Sequence, residues 1–167
     1  CFCAGADLKE VSGGSPGANR VGVAGDGPMG PTRMLLSKPV IAAVQGMACG
    51  GAFYMLGQTE FIIASDDATF FDPHVTYGMT AAFEPIEMLS KMPLPAVMRM
   101  SPLGAPERMP AERAREVGLV TEGVPRDDLL ERWLRIAGCV RGWALEHPTL
   151  YALVYGSPVP GYAAPAD

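Results

Sequence analysis

Residues 38–51 read KPVIAAVQGMACGG, and they run on into AFYMLG at 52–57 and FIIA at 61–64. Pro39–Val44 is a short continuous apolar run between Lys38 and Gln45-Gly46, the pattern of a strand buried on both faces. Gly50-Gly51 then punctuates the chain, Ala52–Gly57 is compatible with a helix, and Phe61–Ala64 reads as a second buried strand. Strand, glycine turn, helix and strand make a βαβ unit, whose crossover predicts a parallel pair and an α/β fold. A turn at Ser65-Asp66-Asp67 and a short apolar segment, Thr69–Phe71, follow.

Further along, Ala82–Met92 sets Phe83, Ile86, Met88 and Leu89 near helical spacing, and Pro93 and Pro95 end it. A helix is predicted over Ala111–Val117, after Pro110 and capped by Gly118. The longest predicted helix runs from Leu129 to Leu145, where Leu130, Trp133, Leu134, Ala137, Val140 and Trp143 recur at three- and four-residue steps. Asp127 and Asp128 favour its start. Pro102, Pro106 and Pro110 punctuate the region between, where a continuous helix is not expected. Beyond His147-Pro148 a short apolar stretch, Leu150–Tyr155, leads into a Pro/Gly-rich tail. On the other side, Ser12–Pro31 is rich in Gly, Pro, Ser and Asn without a period and reads as a mobile surface loop, a common cover for binding sites.

The 167 residues are 49% hydrophobic and 19% charged, enough apolar surface for one domain of ordinary size and too much for disorder. With 13 basic against 18 acidic residues, no basic stripe for nucleic acid is expected. No apolar run approaches the roughly 20 residues that cross a bilayer, and a cytoplasmic location is the default. Cys1, Cys3, Cys49 and Cys139 show no CxxC spacing and read as reduced thiols. The only histidines, His74 and His147, lie far apart, so no metal site is expected.

Two segments carry chemistry: Phe2–Glu10 (FCAGADLKE) and Lys38–Gly51, each a buried strand or its end opening into small residues. Small residues let backbone N–H groups approach a ligand oxygen. If Ala4 and Gly51 turn their amides to one point, with Gly51 starting a helix, they form an oxyanion site of the kind that stabilises enolates and thioester oxyanions. Tight turns packing helix on strand explain the same glycines.

These segments resemble the crotonase (enoyl-CoA hydratase/isomerase) superfamily, in which stretches like FCAGADLKE and KPVIAAVQGMACGG supply the two oxyanion-hole amides. FIIASDDATFFDPHVTYG is similar to the family's strand and Pro-containing substrate loop, and PAERAREVGLVTEGVPRDDL to its later helix–strand–helix passage. The resemblance runs from Cys1 to about Leu130. It implies a partial crotonase-like spiral of ββα units followed by a C-terminal helical tail. It also implies an acyl-CoA ligand, with coenzyme A part of the substrate and no separate cofactor, and a homotrimer or hexamer. Ala4 and Gly51 would be the oxyanion donors, and Cys3, Gly5, Ala6, Asp7, Leu8, Gly50 and Tyr54 would line the substrate.

The departures from the family pattern bear on the chemistry. Hydratases of this family carry one glutamate three residues after the glycine run, where this chain has Tyr54, and a second after the substrate-loop proline, where it has His74. Water addition to an enoyl thioester needs an acid–base pair, so ordinary hydratase activity is not expected from these positions. Asp72, Glu84 or Glu87 can supply a carboxylate and His74 a base of near-neutral pKa. A loop imidazole bonded locally, a solvated face for Glu84 and Glu87, and a core position for Tyr54 fit the same residues.

Both ends depart as well. Residue 1 is Cys, the family's early strands should precede FCAGADLKE and its closing helices should follow GVPRDDLLERW, so truncation at both ends is expected. From about Ile136, and specifically in WALEHPTLYALVYGSPVPGY, the chain resembles the ligand-binding domain of tetracycline-repressor-type regulators, without a preceding DNA-binding half. This divides the chain into an acyl-CoA-binding domain at 1–130 and a helical tail at 131–167. Two functions stay open: an acyl-CoA enzyme working through an enolate-like intermediate, and a non-catalytic acyl-CoA-binding relic or fusion fragment. A rearrangement joining unrelated pieces near Leu130–Ile136 is a third possibility.

Overall fold

The computed structural model describes residues 1–13, 24, 25, 27–30 and 32–156. Most of the predicted glycine-rich loop and the Pro/Gly tail beyond residue 156 lie outside them. The chain alternates between two three-stranded sheets. One contains β1 (Ile41–Val44), β3 (Phe61–Ser65) and β6 (Glu122–Val124); the other contains β2 (Met47–Cys49), β4 (Thr69–Phe71) and β5 (Met109–Pro110). Each of the first two passes supplies a strand to one sheet, turns, and supplies a strand to the other. The turn at Gly46 needs φ +61, a left-handed conformation that glycine adopts without strain.

The crossover through α2 (Ala52–Gly57) makes both resulting pairs parallel, β1 with β3 and β2 with β4, while β5 returns antiparallel to β4. The expected parallel pair is therefore present twice, and the fold is the α/β arrangement of ββα units followed by helices. β3 is central in its sheet and is buried almost throughout. β1 is an edge strand, so only Ala42 and Val44 are fully buried and Ile41 and Ala43 stay half-buried. The continuous apolar run at 39–44 had predicted burial on both faces; position at the sheet edge limits it to one.

The segment read as a buried strand at the start makes only a single bridge, Cys3 to Ala48, and then becomes the exposed helix α1 (Leu8–Ser12). Asp7 causes the change: its Oδ1 accepts from the Lys9 amide at 2.9 Å and caps the helix. α3 (Phe83–Met88) and α5 (Ala111–Glu116) lie where the spacing placed them. Between them, α4 (Leu94–Leu103) runs up to the region that Pro102, Pro106 and Pro110 punctuate. Pro93 and Pro95 lie in its cap and first turn, where no intrahelical N–H is needed, and Pro102 falls in its last turn. The prolines start a helix as well as ending one.

α6 (Leu129–Glu146) crosses the β1–β3 side and is held by two polar contacts. Trp133 Nε1 donates to Ile41 O at 2.9 Å, and Arg132 pairs with Glu122 of β6 at 2.8 Å. Its apolar stripe is only half covered, with Leu130 and Leu134 exposed. The stretch Leu150–Tyr155 belongs to a further helix, α7 (Pro148–Tyr155), with Tyr151 Oη donating to Ser37 O at 3.0 Å. Among the described residues no helix is long and apolar enough to cross a membrane.

The core between the sheets and helices contains Phe53, Leu56, Ile62, Phe70, Met88 and Met100, all essentially inaccessible. Truncating Phe53 removes a large ring from a site that cannot collapse, so Phe53→Ala is expected to cost about 3–5 kcal/mol of stability. Leu134→Ala, on an exposed position of α6, should stay within about 0.5 kcal/mol. Urea unfolding of the two variants checks the contrast.

Candidate active site

The site begins where three backbone segments meet. Phe2 and Cys3 donate to Met47 O at 2.9 and 3.1 Å, and Cys49 N donates to Cys3 O at 3.0 Å, which ties the N-terminal strand-like segment along β2. Just beyond this ladder, Gly5 at φ +81 lies so near the glycine turn that a Cβ would stand 3.2 Å from Cys49 O and 3.3 Å from Gly51 N. Gly50, at φ +53, packs on the third segment, with Pro73 Cδ 3.6 Å from where its Cβ would be. Gly50 N also donates to Phe71 O at 3.4 Å. Gly5, Gly50 and Gly51 are thus brought together beside Pro73.

The two amides singled out from the sequence lie on either side of this approach. Among the described residues, neither Ala4 N nor Gly51 N donates to any backbone or side-chain acceptor, so both retain a donor for another group. The Ala4 carbonyl accepts from the Cys49 thiol at 3.3 Å. Burial first, and then neighbouring Cys3, push that thiol's pKa up and keep it protonated as a donor. α2 is only six residues long, so the individual amides are the polar feature here and not a helix dipole.

On the far side of Pro73 lies a buried cluster of ionisable groups. Asp72, at the end of β4, is fully buried; its Oδ1 accepts from His74 N at 3.2 Å and lies 2.5 Å from His74 Nδ1. A proline between the two residues and a 3-10 turn over His74–Tyr77 fold the imidazole back onto the carboxylate. His74 Nε2 lies 3.3 Å from Glu84 Oε1, so the ring bridges two carboxylates contributed by different elements. Glu84 occupies the first turn of α3 and is 5% exposed, which excludes the solvated face that its sequence position allowed. Asp72 Oδ2 is buried without a hydrogen-bond partner among the described residues.

These partners set the proton affinities. The Asp72 hydrogen bond, opposed by burial and assisted by the charges of Glu84 and Asp72, raises the His74 pKa above its ordinary 6.5. Tyr54, on α2, is buried, and burial first and then the charge of Glu84 push its phenol up to about 12. Tyr54 therefore has a charged neighbour as well as a core position. His74 has two partners that sequence distance concealed. Among the described residues no trio of His, Cys, Asp and Glu is arranged to hold a metal ion.

Other candidates are placed apart from this cluster. Asp7 spends its carboxylate on capping α1, Leu8 is exposed, and Ala4 and Ala6 lie at the surface with Cys3 half-buried behind them. Glu87 is half-buried and accepts from Gln58 Nε2 at 2.6 Å, which ties α3 to α2. Three residues not anticipated as site residues contribute. Thr32 is buried and its Oγ1 donates to Tyr54 O at 3.3 Å, and Met29 Cγ comes within 4.0 Å of the Cβ position of Gly51. Both come from the end of the glycine-rich stretch, whose expected role as a site cover was the only available signal. The third is Arg108, whose guanidinium stacks 4.0 Å over the Phe71 ring next to Asp72. An open depression of about 520 Å³ between α4 and α5, lined by Arg99, Glu107, Arg108 and Arg113, contains none of the clustered residues.

Comparison with known proteins matches residues 1–154 to the enoyl-CoA hydratase/isomerase family model. The chain belongs to the enoyl-CoA hydratase/isomerase family. It is 34% identical over 146 residues to mevalonyl-coenzyme A hydratase of Aspergillus fumigatus, covering 83% of this chain and 51% of that protein. Its identity to carnitinyl-CoA dehydratase of Salmonella typhi is 34% over 131 residues, 78% of this chain and 49% of the relative. Among solved structures, an enoyl-CoA hydratase/isomerase from Mycobacterium paratuberculosis is 44% identical with a TM-score of 0.61, over 63% of this chain and 42% of that one. Enoyl-CoA hydratase from Mycobacterium tuberculosis H37Rv gives 33% and 0.59, over 64% and 48%. The chain spans about half the length of the curated relatives it matches. The family match extends through residues 136–154, so the segment expected to belong to a regulator tail is matched by this family instead.

The raised His74 pKa has a defined consequence for stability. Because the folded state holds this proton more tightly than the unfolded chain, the contribution is complete below the unfolded value of 6.5 and is lost as pH climbs through the raised folded value. The stability difference between wild type and His74→Asn should therefore shrink as pH rises above 6.5. Urea unfolding across that range measures it, and a difference that grows with pH contradicts the assignment.

Proposed function

We propose that this chain binds an acyl-CoA thioester and moves a proton at the carbon next to the thioester carbonyl. The amides of Ala4 and Gly51 accept the negative charge that builds on the carbonyl oxygen, and the Asp72–His74–Glu84 cluster handles the proton. The observation that carries this reading is the shared wall at Pro73, which packs against Gly50 on one side and joins Asp72 to His74 on the other. An oxyanion point and an acid–base group are useful only when one substrate can touch both. Family membership supports the CoA thioester as ligand, with coenzyme A part of the substrate.

In this reading Asp72 positions the imidazole: it fixes Nδ1 and leaves Nε2, with Glu84, to exchange the proton. Cys3, Gly5 and Gly50 form the backbone wall along the thioester, and Ala6, Asp7 and Leu8 form its outer rim. The acyl-CoA part is residues 1–130, with 131–167 as a helical tail, and the assembly is a homotrimer or hexamer in the cytoplasm, without nucleic-acid or membrane partners. A non-catalytic acyl-CoA-binding role is the second reading, favoured by Tyr54 and His74 standing where the resemblance leads one to expect glutamates.

Gly51→Pro tests the oxyanion donor cleanly. Gly51 has φ −53, which proline adopts without strain, and its Cβ position has only ordinary contacts at 3.7 Å and beyond. The substitution removes the N–H and sets a ring carbon in its place, so conversion of a short-chain enoyl-CoA should fall about 100- to 1,000-fold, with urea unfolding of the variant as the check that the fold persists. Turnover at the wild-type rate sinks the proposal. For the binding step, crotonyl-CoA at about 100 times its dissociation constant should stabilise the wild type by about 2.7 kcal/mol in a thermal melt. Stabilisation without any turnover selects the non-catalytic reading.

A further inference from the structure

Cys49 is the last residue of β2 and stands directly before the glycine turn that carries Gly51. It is buried, and the N-terminal segment lies against it. Its amide donates to Cys3 O at 3.0 Å, and its thiol donates to Ala4 O at 3.3 Å. Its own carbonyl oxygen stands 3.2 Å from the Cβ position of Gly5. A single residue thus meets Cys3, Ala4 and Gly5 with its amide, its side chain and its carbonyl.

The two carbonyls held by Cys49 bracket the Ala4 amide. Cys3 O and Ala4 N belong to one planar trans peptide, so a hydrogen bond from Cys49 to the oxygen turns the N–H to the opposite side. Ala4 O belongs to the next peptide, and the thiol fixes that plane as well. The pairing with β2 ends here: Cys3 bridges Ala48, and Gly5 already has φ +81. Among the described residues Ala4 O has no other donor, so the thiol is what holds the chain as it leaves the strand. Burial keeps this thiol protonated, which suits a donor and not a nucleophile.

We propose that Cys49 is a positioning residue of the oxyanion site, setting the Ala4 N–H relative to the Gly51 N–H through its hydrogen bonds to Cys3 O and Ala4 O. The inference rests on the proposed acyl-CoA reading for its effect on turnover and on the two hydrogen bonds for the clamp itself. Gly51 follows Cys49 through Gly50, whose φ is +53, so one residue is the common reference for both donors. In this role Cys49 acts through Ala4 and need not touch the substrate. Placement matters because donors must meet the developing oxyanion at about 2.7–3.1 Å. An error of about 1 Å costs on the order of 100-fold in rate.

Cys49→Ala and Cys49→Ser separate the donor from packing, since the two side chains differ by one hydroxyl in the same space. Turnover is read as deuterium uptake from D2O at the carbon next to the carbonyl of butyryl-CoA. Cys49→Ala should lower kcat about 10-fold at unchanged KM, because the amide is loosened and not removed. Cys49→Ser, which supplies a donor again, should recover most of that loss. Equal losses in the two variants assign the effect to packing and overturn the proposal. Cys49→Val and Cys49→Thr, a second pair of matched shape without and with a donor, give the same comparison if the smaller side chain leaves the chain unfolded. The clamp is read without substrate from the Ala4 and Gly5 amide signals in NMR of the full chain. Both should shift in Cys49→Ala and return toward wild type in Cys49→Ser. Signals that stay in place in Cys49→Ala overturn the clamp whatever the protein turns over. A wild type inert toward butyryl-CoA but showing this shift rejects the acyl-CoA reading and keeps the clamp.

Discussion

The close approach of Gly5, Gly50 and Pro73 is the constraint on which the site depends. Three backbone segments that are remote in sequence come within van der Waals distance, and a Cβ at Gly5 would press on two backbone atoms at 3.2 and 3.3 Å. Backbone cannot yield as a flexible side chain can. Absence of side chains at this junction therefore lets the N-terminal segment lie along β2, with Gly5 against Gly51 and Pro73 against Gly50.

Burial of charge is the second demand. Moving Asp72 and Glu84 out of water is costly unless donors meet them, and breaking such a group by removing one partner leaves a buried charge uncompensated. His74 answers both carboxylates at once, one with each ring nitrogen. The two-sheet frame makes this possible. β4 delivers Asp72 at its end, Pro73 reverses the chain, and α3 packs on α2 so that Glu84 comes in from outside the turn. A fold assembled from ββα units thus brings together groups from three successive units at one place.

Much of this frame was legible. Apolar runs at 41–44 and 61–64, separated by a glycine turn and a helix-compatible stretch, define a parallel crossover because a short link cannot connect parallel strands. The short strands at 47–49 and 109–110 were not legible, since so short a strand has no period of its own and is made by its neighbours. Pro93 and Pro95 mark a helix end in the sequence, and in the structure they also start α4. Their cost depends on helical position, and in the first turn of α4 proline is favourable, which composition cannot distinguish. Asp7 turned an expected strand into a capped helix by one local hydrogen bond.

By itself the sequence determined the alternation of apolar runs and glycine turns, the parallel crossover and the residues able to ionise around Pro73, because these follow from side-chain chemistry and short-range spacing. Only the tertiary structure decided that Glu84 is buried and not solvated, that its charge reaches Tyr54, and that His74 has two partners. The His74–Asp72 contact spans two residues, but the His74–Glu84 contact spans ten. Which face of α3 is dry depends on α2 packing against it, and that packing depends on the glycine junction that the chain reaches only after folding. Proton affinity is set by surroundings, and the surroundings of these groups are assembled from elements with no local signal of their proximity.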